Sequence, residues 1–131
     1  MRFVDTSFWI ALQFRRDGHF TEATELWQHD QGPLLTTNYV VGEAWTFLRR
    51  RLGFEAARGF LDFLATSQRV VIIRVDEDAE REAWAWLRRH DERVYSFVDA
   101  TSFAVMRRRG ILEALAFDGD FSAAGFVEVR P

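Results

Sequence analysis

The chain is 131 residues long, 48% hydrophobic and 15% aromatic, with a formal net charge of −3 and no cysteine. This is the size of one domain with a filled core, spanning 1–131, and it argues against disorder, a disulfide framework, a thiolate site or a zinc knuckle. No apolar run approaches the roughly 20 residues that span a bilayer, so no membrane association is expected.

The first stretch, MRFVDTSFWIAL, carries a charge at Asp5 and lacks a small-residue cleavage site, so it reads as structure and not as a signal peptide. A cytoplasmic protein is the expectation. Arg2–Val4 is short, apolar and β-prone, and Thr6-Ser7 offers an N-cap before a first helix in FWIALQF. Asp17-Gly18 breaks the chain. Helical spacing follows from Phe20 to His29, with Phe20, Ala23, Leu26 and Trp27 on one face. Gln31-Gly32-Pro33 marks a turn, Leu34-Leu35-Thr36 a second strand, and Asn38 could cap a helix through YVVGEAWTFLRRRL to Gly53.

Phe54–Thr66 is the next helix, with Ala57, Phe60, Leu61 and Leu64 as its apolar face. Val70–Val75 is β-branched and the clearest strand. Asp76–His90 is helical, with Asp76 and Asp78 at its positive end. A helix starting at Ser96 or Phe97 reaches Arg109 and stops at Gly110. Glu113–Phe117 and Gly125–Val129 complete the strands around a turn at Asp118-Gly119-Asp120. Strands alternating with helices predict an α/β fold, a mainly parallel sheet of four to five strands covered on both faces. Ligands of such sheets bind beyond the carboxyl ends of the strands.

Acids at those ends are therefore the candidates. Asp5 and Asp118 each follow a strand. Glu43 sits in YVVGEAWTFL, crowded by Tyr39, Val40, Ala44, Trp45, Phe47 and Leu48, where a buried carboxylate is costly. Asp99 sits in the apolar YSFVDATSFAVM. Each alone has an ordinary explanation as cap, turn residue or solvated helix acid. Together, four carboxylates on one sheet edge repel unless a cation neutralises them. All-oxygen donors suit Mg²⁺, with Mn²⁺ as a substitute, and such an ion can activate water and stabilise charge on a phosphoryl oxygen. This chemistry points to phosphodiester hydrolysis.

FVDTSFWIAL, NYVVGEAWTFLRRRLG, YSFVDATSFAVM and LAFDGDF, in this order, resemble the four acidic motifs of the PIN-domain family, and the length resembles its VapC-type toxins. The resemblance covers nearly the whole chain. It implies a Mg²⁺- or Mn²⁺-dependent endoribonuclease with Asp5, Glu43, Asp99 and Asp118 as its acids and Asp120 supporting the metal. Thr6 or Ser7 and Ser96 match the family's hydroxyl positions, and Asn38 precedes the second acid as Ser96 precedes the third. Ala116 stands where the family commonly has threonine. The resemblance also implies an RNA substrate, a cognate antitoxin that covers the site, and a second copy of the chain as a homodimer partner.

Every one of the 17 cations is arginine, and ten of them are grouped at Arg15-Arg16, Arg49–Arg51, Arg88-Arg89 and Arg107–Arg109. Three groups end helices, where cations complement the dipole, and all are expected near the site, where arginine can hold RNA phosphates. Trp84 and Trp86 cannot share a helix face, so one is expected to meet another protein chain. The helices at 6–14, 20–29 and 38–52 are expected to form a groove for a partner helix. Two alternatives stand beside the nuclease. A haloacid-dehalogenase-like phosphatase wants a second acid where Ser7 stands, and a lysine that the chain lacks. A non-catalytic RNA- or protein-binding module would have no need for all four acids.

Overall fold

In the computed structural model, which describes residues 1–29 and 32–131, each strand but the last leads into helix. The elements are β1 (Arg2–Val4), α1 (Thr6–Gln13), α2 (Phe20–His29), β2 (Leu34–Thr37), α3 (Asn38–Leu52), α4 (Phe54–Thr66) and β3 (Val70–Ile73). They continue with α5 (Glu77–Arg89), α6 (Phe97–Arg109), β4 (Glu113–Leu115), α7 (Asp120–Ala123) and β5 (Val127–Glu128). The five strands run in the order β3-β2-β1-β4-β5, and all described pairings are parallel. The chain winds outward from β1 to β3, then crosses to the other side of β1 to lay down β4. The switch point therefore falls between β1 and β4, with Val4 in register with Leu115.

The strands at this centre are buried on both faces, which is why Phe3, Val4, Leu34, Leu35, Ala114 and Leu115 are all apolar and covered. Trp9, Phe60, Phe103 and Phe121 are fully buried and fill the layers on either side. In the core beside β1 the Thr36 hydroxyl donates to the Val4 carbonyl at 2.9 Å and accepts from the Trp9 indole N–H at 3.4 Å.

Several boundaries differ from the sequence expectation. Asp5, not Thr6 or Ser7, caps α1, and Thr37, not Asn38, caps α3 through the Val40 N–H. Asn38 instead accepts from the Val75 N–H at 2.9 Å and ties the exit of β3 to α3. Strand β4 ends at Leu115 because Ser7 takes the Phe117 N–H, and residues 120–123 form a helical turn too short to leave a period in the sequence. The β-branched run at 70–75 is an edge strand with Val71 and Ile72 about half exposed, so its composition reflects propensity more than burial. Leu61 of α4 is also outside the core, at 41% exposure. The turn expected at Gln31-Gly32-Pro33 lies partly outside the described residues.

Candidate metal centre

Asp5 follows β1 directly and is 2% exposed. Its Oδ2 accepts from the Ser7 N–H at 3.2 Å and from the Ser7 hydroxyl at 2.7 Å. That hydroxyl accepts in turn from the Phe117 N–H at 3.0 Å, so one serine joins the ends of β1 and β4. Burial, then the charges of Asp118 and Asp99, push the Asp5 carboxyl up to about 8, against the pull of the two Ser7 bonds. Thr6 beside it is 7% exposed and its hydroxyl meets no hydrogen-bond partner among the described residues.

Asp99 lies in the first turn of α6 and is 7% exposed. It forms a capping box with Ser96: the Ser96 hydroxyl accepts from the Asp99 N–H at 2.9 Å, and Asp99 Oδ2 accepts from the Ser96 N–H at 3.0 Å. Burial raises its carboxyl to about 7; the charges of Asp120 and Asp118 add to this and the Ser96 bonds oppose it. Asp118 follows β4 and Asp120 opens α7, and Asp118 Oδ1 accepts the Asp120 N–H at 3.2 Å. Asp118 is the exposed member, yet partial desolvation against the pocket wall and the charges of Asp120 and Glu128 also hold its carboxyl above the usual range.

Carboxylate oxygens of Asp99, Asp118 and Asp120 lie within 4.8 Å of one another. With Asp5, Thr6, Ser7, Glu43 and Ser96 they line one pocket of about 290 Å³ at the switch point. The fit to a divalent cation is chemical. Three converging oxygens, two buried acids held above their ordinary range and an unpartnered buried hydroxyl form a donor set with more negative charge than its neighbours balance.

Glu43 corrects one expectation. The buried row of α3 is Val40, Ala44 and Leu48, and Glu43 lies outside it, exposed at the pocket wall. Val40, Ala44 and Leu48 turn to the core, while Tyr39 and Phe47 share a groove with Glu43. Glu43 and Asp5 stand outside the tight trio, and Asn38 lines a neighbouring groove instead of the acid pocket. Ala116 is fully buried, and the hydroxyl that holds this strand end comes from Ser7.

The turn itself is strongly held. Gly119 has φ 83°, and the buried Glu128 carboxylate accepts from the Gly119 N–H at 3.3 Å and the Ser122 N–H at 3.0 Å. Phe121 is fully buried against Phe103, with ring centroids 4.9 Å apart.

The arginines are not gathered around this pocket as expected. Arg107 and Arg108 pair with Glu82, and Arg108 also with Asp76, at the opposite end of α6. They lie roughly 12–15 Å along the axis from Asp99. Arg50 and Arg51 line a groove of about 630 Å³ with Tyr39, Glu43, Phe97 and Val98. This groove is built by α3 and the start of α6; α2 packs elsewhere, lining a separate pocket through Glu25, Leu26 and His29. Among the described residues, the cation that pairs with the clustered acids is Arg93, a single arginine in the α5–α6 loop, whose Nε donates to Asp120 Oδ1 at 2.5 Å. No local pattern marks it, because its partner is 27 residues away.

No described helix is long and apolar enough to cross a membrane. The PIN domain model matches residues 2–127. The 23S rRNA-specific endonuclease VapC20, from two strains of Mycobacterium tuberculosis, is 54% identical over 134 residues, covering 100% of this chain and 99% of the relative. The crystal structure of Mycobacterium tuberculosis VapC20, described as a sarcin–ricin loop cleaving toxin, superposes with a TM-score of 0.96 at 54% identity, over 100% of both chains. A parallel sheet that gathers its acids at the switch point, and a family match along almost its whole length, place the chain in the PIN domain family.

Proposed function

We propose that the protein is a metal-dependent endoribonuclease, the toxin of a toxin–antitoxin pair, and that it cuts 23S ribosomal RNA at the sarcin–ricin loop. The observation that carries this reading is the convergence of Asp99, Asp118 and Asp120 beside buried Asp5, in a chain 54% identical to a 23S rRNA-specific endonuclease along its whole length.

Asp99, Asp118 and Asp120 are the residues to hold the ion, with Asp5 and Glu43 completing the negative wall. Mg²⁺ is the expected ion, and Mn²⁺, which takes the same oxygen donors, its substitute. When bound, the ion supplies positive charge for a phosphoryl oxygen and makes water more acidic. The Ser7 hydroxyl fixes the Asp5 carboxylate and the Ser96 N–H that of Asp99, so neither acid swings when substrate enters. As water attacks phosphorus in line the P–O3′ bond breaks; a carboxylate of this cluster accepts the water proton and the departing 3′-oxygen takes one from solvent, which leaves a 5′-phosphate and a 3′-hydroxyl.

The groove beside Glu43 offers Tyr39 and Phe97 rings and the Arg50 and Arg51 guanidinium groups, the surface on which splayed bases stack and phosphates pair. Two protein partners complete the reading. One is an antitoxin that covers the acid pocket. The other is a second copy of the chain meeting the half-exposed Trp84, which stacks on Phe97 at 4.4 Å.

The test is to incubate the purified, partner-free protein with ribosomes and Mg²⁺ or Mn²⁺, beside reactions with EDTA or with the Asp5→Asn protein. One cut in the sarcin–ricin loop that needs both metal and Asp5 is expected. Cuts elsewhere would refute the target, and cleavage unaffected by EDTA or by Asp5→Asn would refute the site.

A further inference from the structure

We propose that Arg93 is a positioning residue of this centre: its guanidinium clamps the loop before α6 onto the Asp118-Gly119-Asp120 turn, and so sets the spacing between Asp99 and the two turn acids. The inference rests on the reading of the acid pocket as a cation site.

Three contacts carry it. Arg93 Nε donates to Asp120 Oδ1 at 2.5 Å, and Nη2 donates to the Asp118 carbonyl at 2.9 Å. The guanidinium also lies across Gly119, where an added Cβ would come within 3.0 Å of Nη2. Gly119 is thus required twice, for its φ of 83° and for the room it leaves to the arginine. Arg93 stands three residues before Ser96, the cap that orients Asp99. One side chain therefore ties the two segments that carry all three clustered acids. The Asp120 side chain is only 17% exposed, against 40% for Arg93, so the pair sits on the sheltered side of the turn. Among the described residues, no donor meets the other oxygen, Asp120 Oδ2, which stays available to a cation.

A guanidinium beside a cation site has two opposite effects. Its charge repels a second cation, and its fork fixes the ligands. The bond to the Asp118 carbonyl and the passage over Gly119 add nothing to charge balance, and both immobilise the turn. Lysine would keep the charge and lose the fork, because one ammonium cannot reproduce two planar, divergent donors.

The test is a calorimetric titration of metal-free protein with Mn²⁺, comparing the natural chain with Arg93→Gln, Arg93→Lys, Gly119→Ala and, as control, Asp99→Asn. Thermal melts check that each variant is folded. Arg93→Gln is expected to weaken Mn²⁺ binding about 10-fold, the scale on which groups behind the ligands act. Arg93→Lys is expected to weaken it nearly as much, and Gly119→Ala to do the same by pressing on the guanidinium with the arginine itself retained. In RNA cleavage, the Mg²⁺ concentration for half-maximal rate should rise in step, with the rate at saturating Mg²⁺ close to that of the natural chain. Unchanged or tighter Mn²⁺ binding in Arg93→Gln, or full recovery in Arg93→Lys, overturns the positioning role. If Asp99→Asn then abolishes binding, the cation site itself stands. A natural chain that binds no Mn²⁺ overturns the cation site and this inference together.

Discussion

The two ends of α6 treat charge in opposite ways. At its C-terminal end Arg107 and Arg108 complement the helix dipole, pair with Glu82 and Asp76 of the neighbouring helix, and give way to Gly110 in the left-handed conformation at φ 67°. At its N-terminal end Asp99 is buried among acids of the same sign, and Arg93 is the cation that offsets part of their charge. The first end is balanced within the chain. The second carries a surplus that a bound cation would resolve. A helix end that costs stability without a ligand is the part of the molecule to read for function.

The sharpest way to break the comparison is to remove the surplus. Asp99→Asn keeps the shape and most of the capping bonds, and is expected to lower RNA cleavage by roughly 10³-fold or more, measured as the single-turnover rate at saturating Mg²⁺. The fold should survive, since an uncompensated buried charge is what is lost.

The next effect is on stability. The folded carboxyls of Asp5 and Asp99 are raised to about 8 and about 7, while the unfolded chain releases those protons near the ordinary value of 3.8. Between these limits the folded protein holds more protons than the unfolded one, so metal-free stability falls as pH rises from about 4 to about 8. The loss should show as a falling unfolding free energy in urea, and Mn²⁺ should restore it at pH 8. Asp5→Asn should flatten the slope and raise the metal-free melting temperature at pH 8.

Smaller effects sharpen the contrast. Ser96→Ala removes the α6 cap and should cost about 1 kcal/mol of stability while also weakening Mn²⁺ binding, because the hydroxyl holds the Asp99 N–H and so seats the turn from which that acid projects, although the Ser96 N–H to Asp99 Oδ2 bond remains. Arg108→Ala breaks half-exposed ion pairs at the other end and should cost less than about 1 kcal/mol, with cleavage and metal affinity unchanged.

The contrast also explains which features were readable beforehand. Asp5, Asp99 and Asp118 were visible because acids at strand ends and helix starts break an apolar pattern. α4 could be bounded because Gly53 and Ser67 punctuate it. Glu43 was expected to be crowded by apolar side chains, yet it lies exposed at the pocket wall because the core row 40, 44, 48 passes beside it. The arginine groups were expected at the site because an acidic pocket that takes RNA wants basic surroundings, whereas eight to ten positions of α6 separate Asp99 from Arg107–Arg109. Arg93 and Glu128 were invisible for a different reason. Their partners lie across the fold, and only the parallel register of β4 and β5 brings Glu128 to the turn.

The most direct test of a surplus negative charge awaiting a cation is to count protons as the cation enters. Metal-free protein would be titrated with Mn²⁺ at pH 7 in two buffers of different ionisation enthalpy. Tight binding with release of about one proton per protein is predicted, because Asp5 and Asp99 must ionise as the site fills. Absence of binding, or binding whose heat is the same in both buffers, would contradict it.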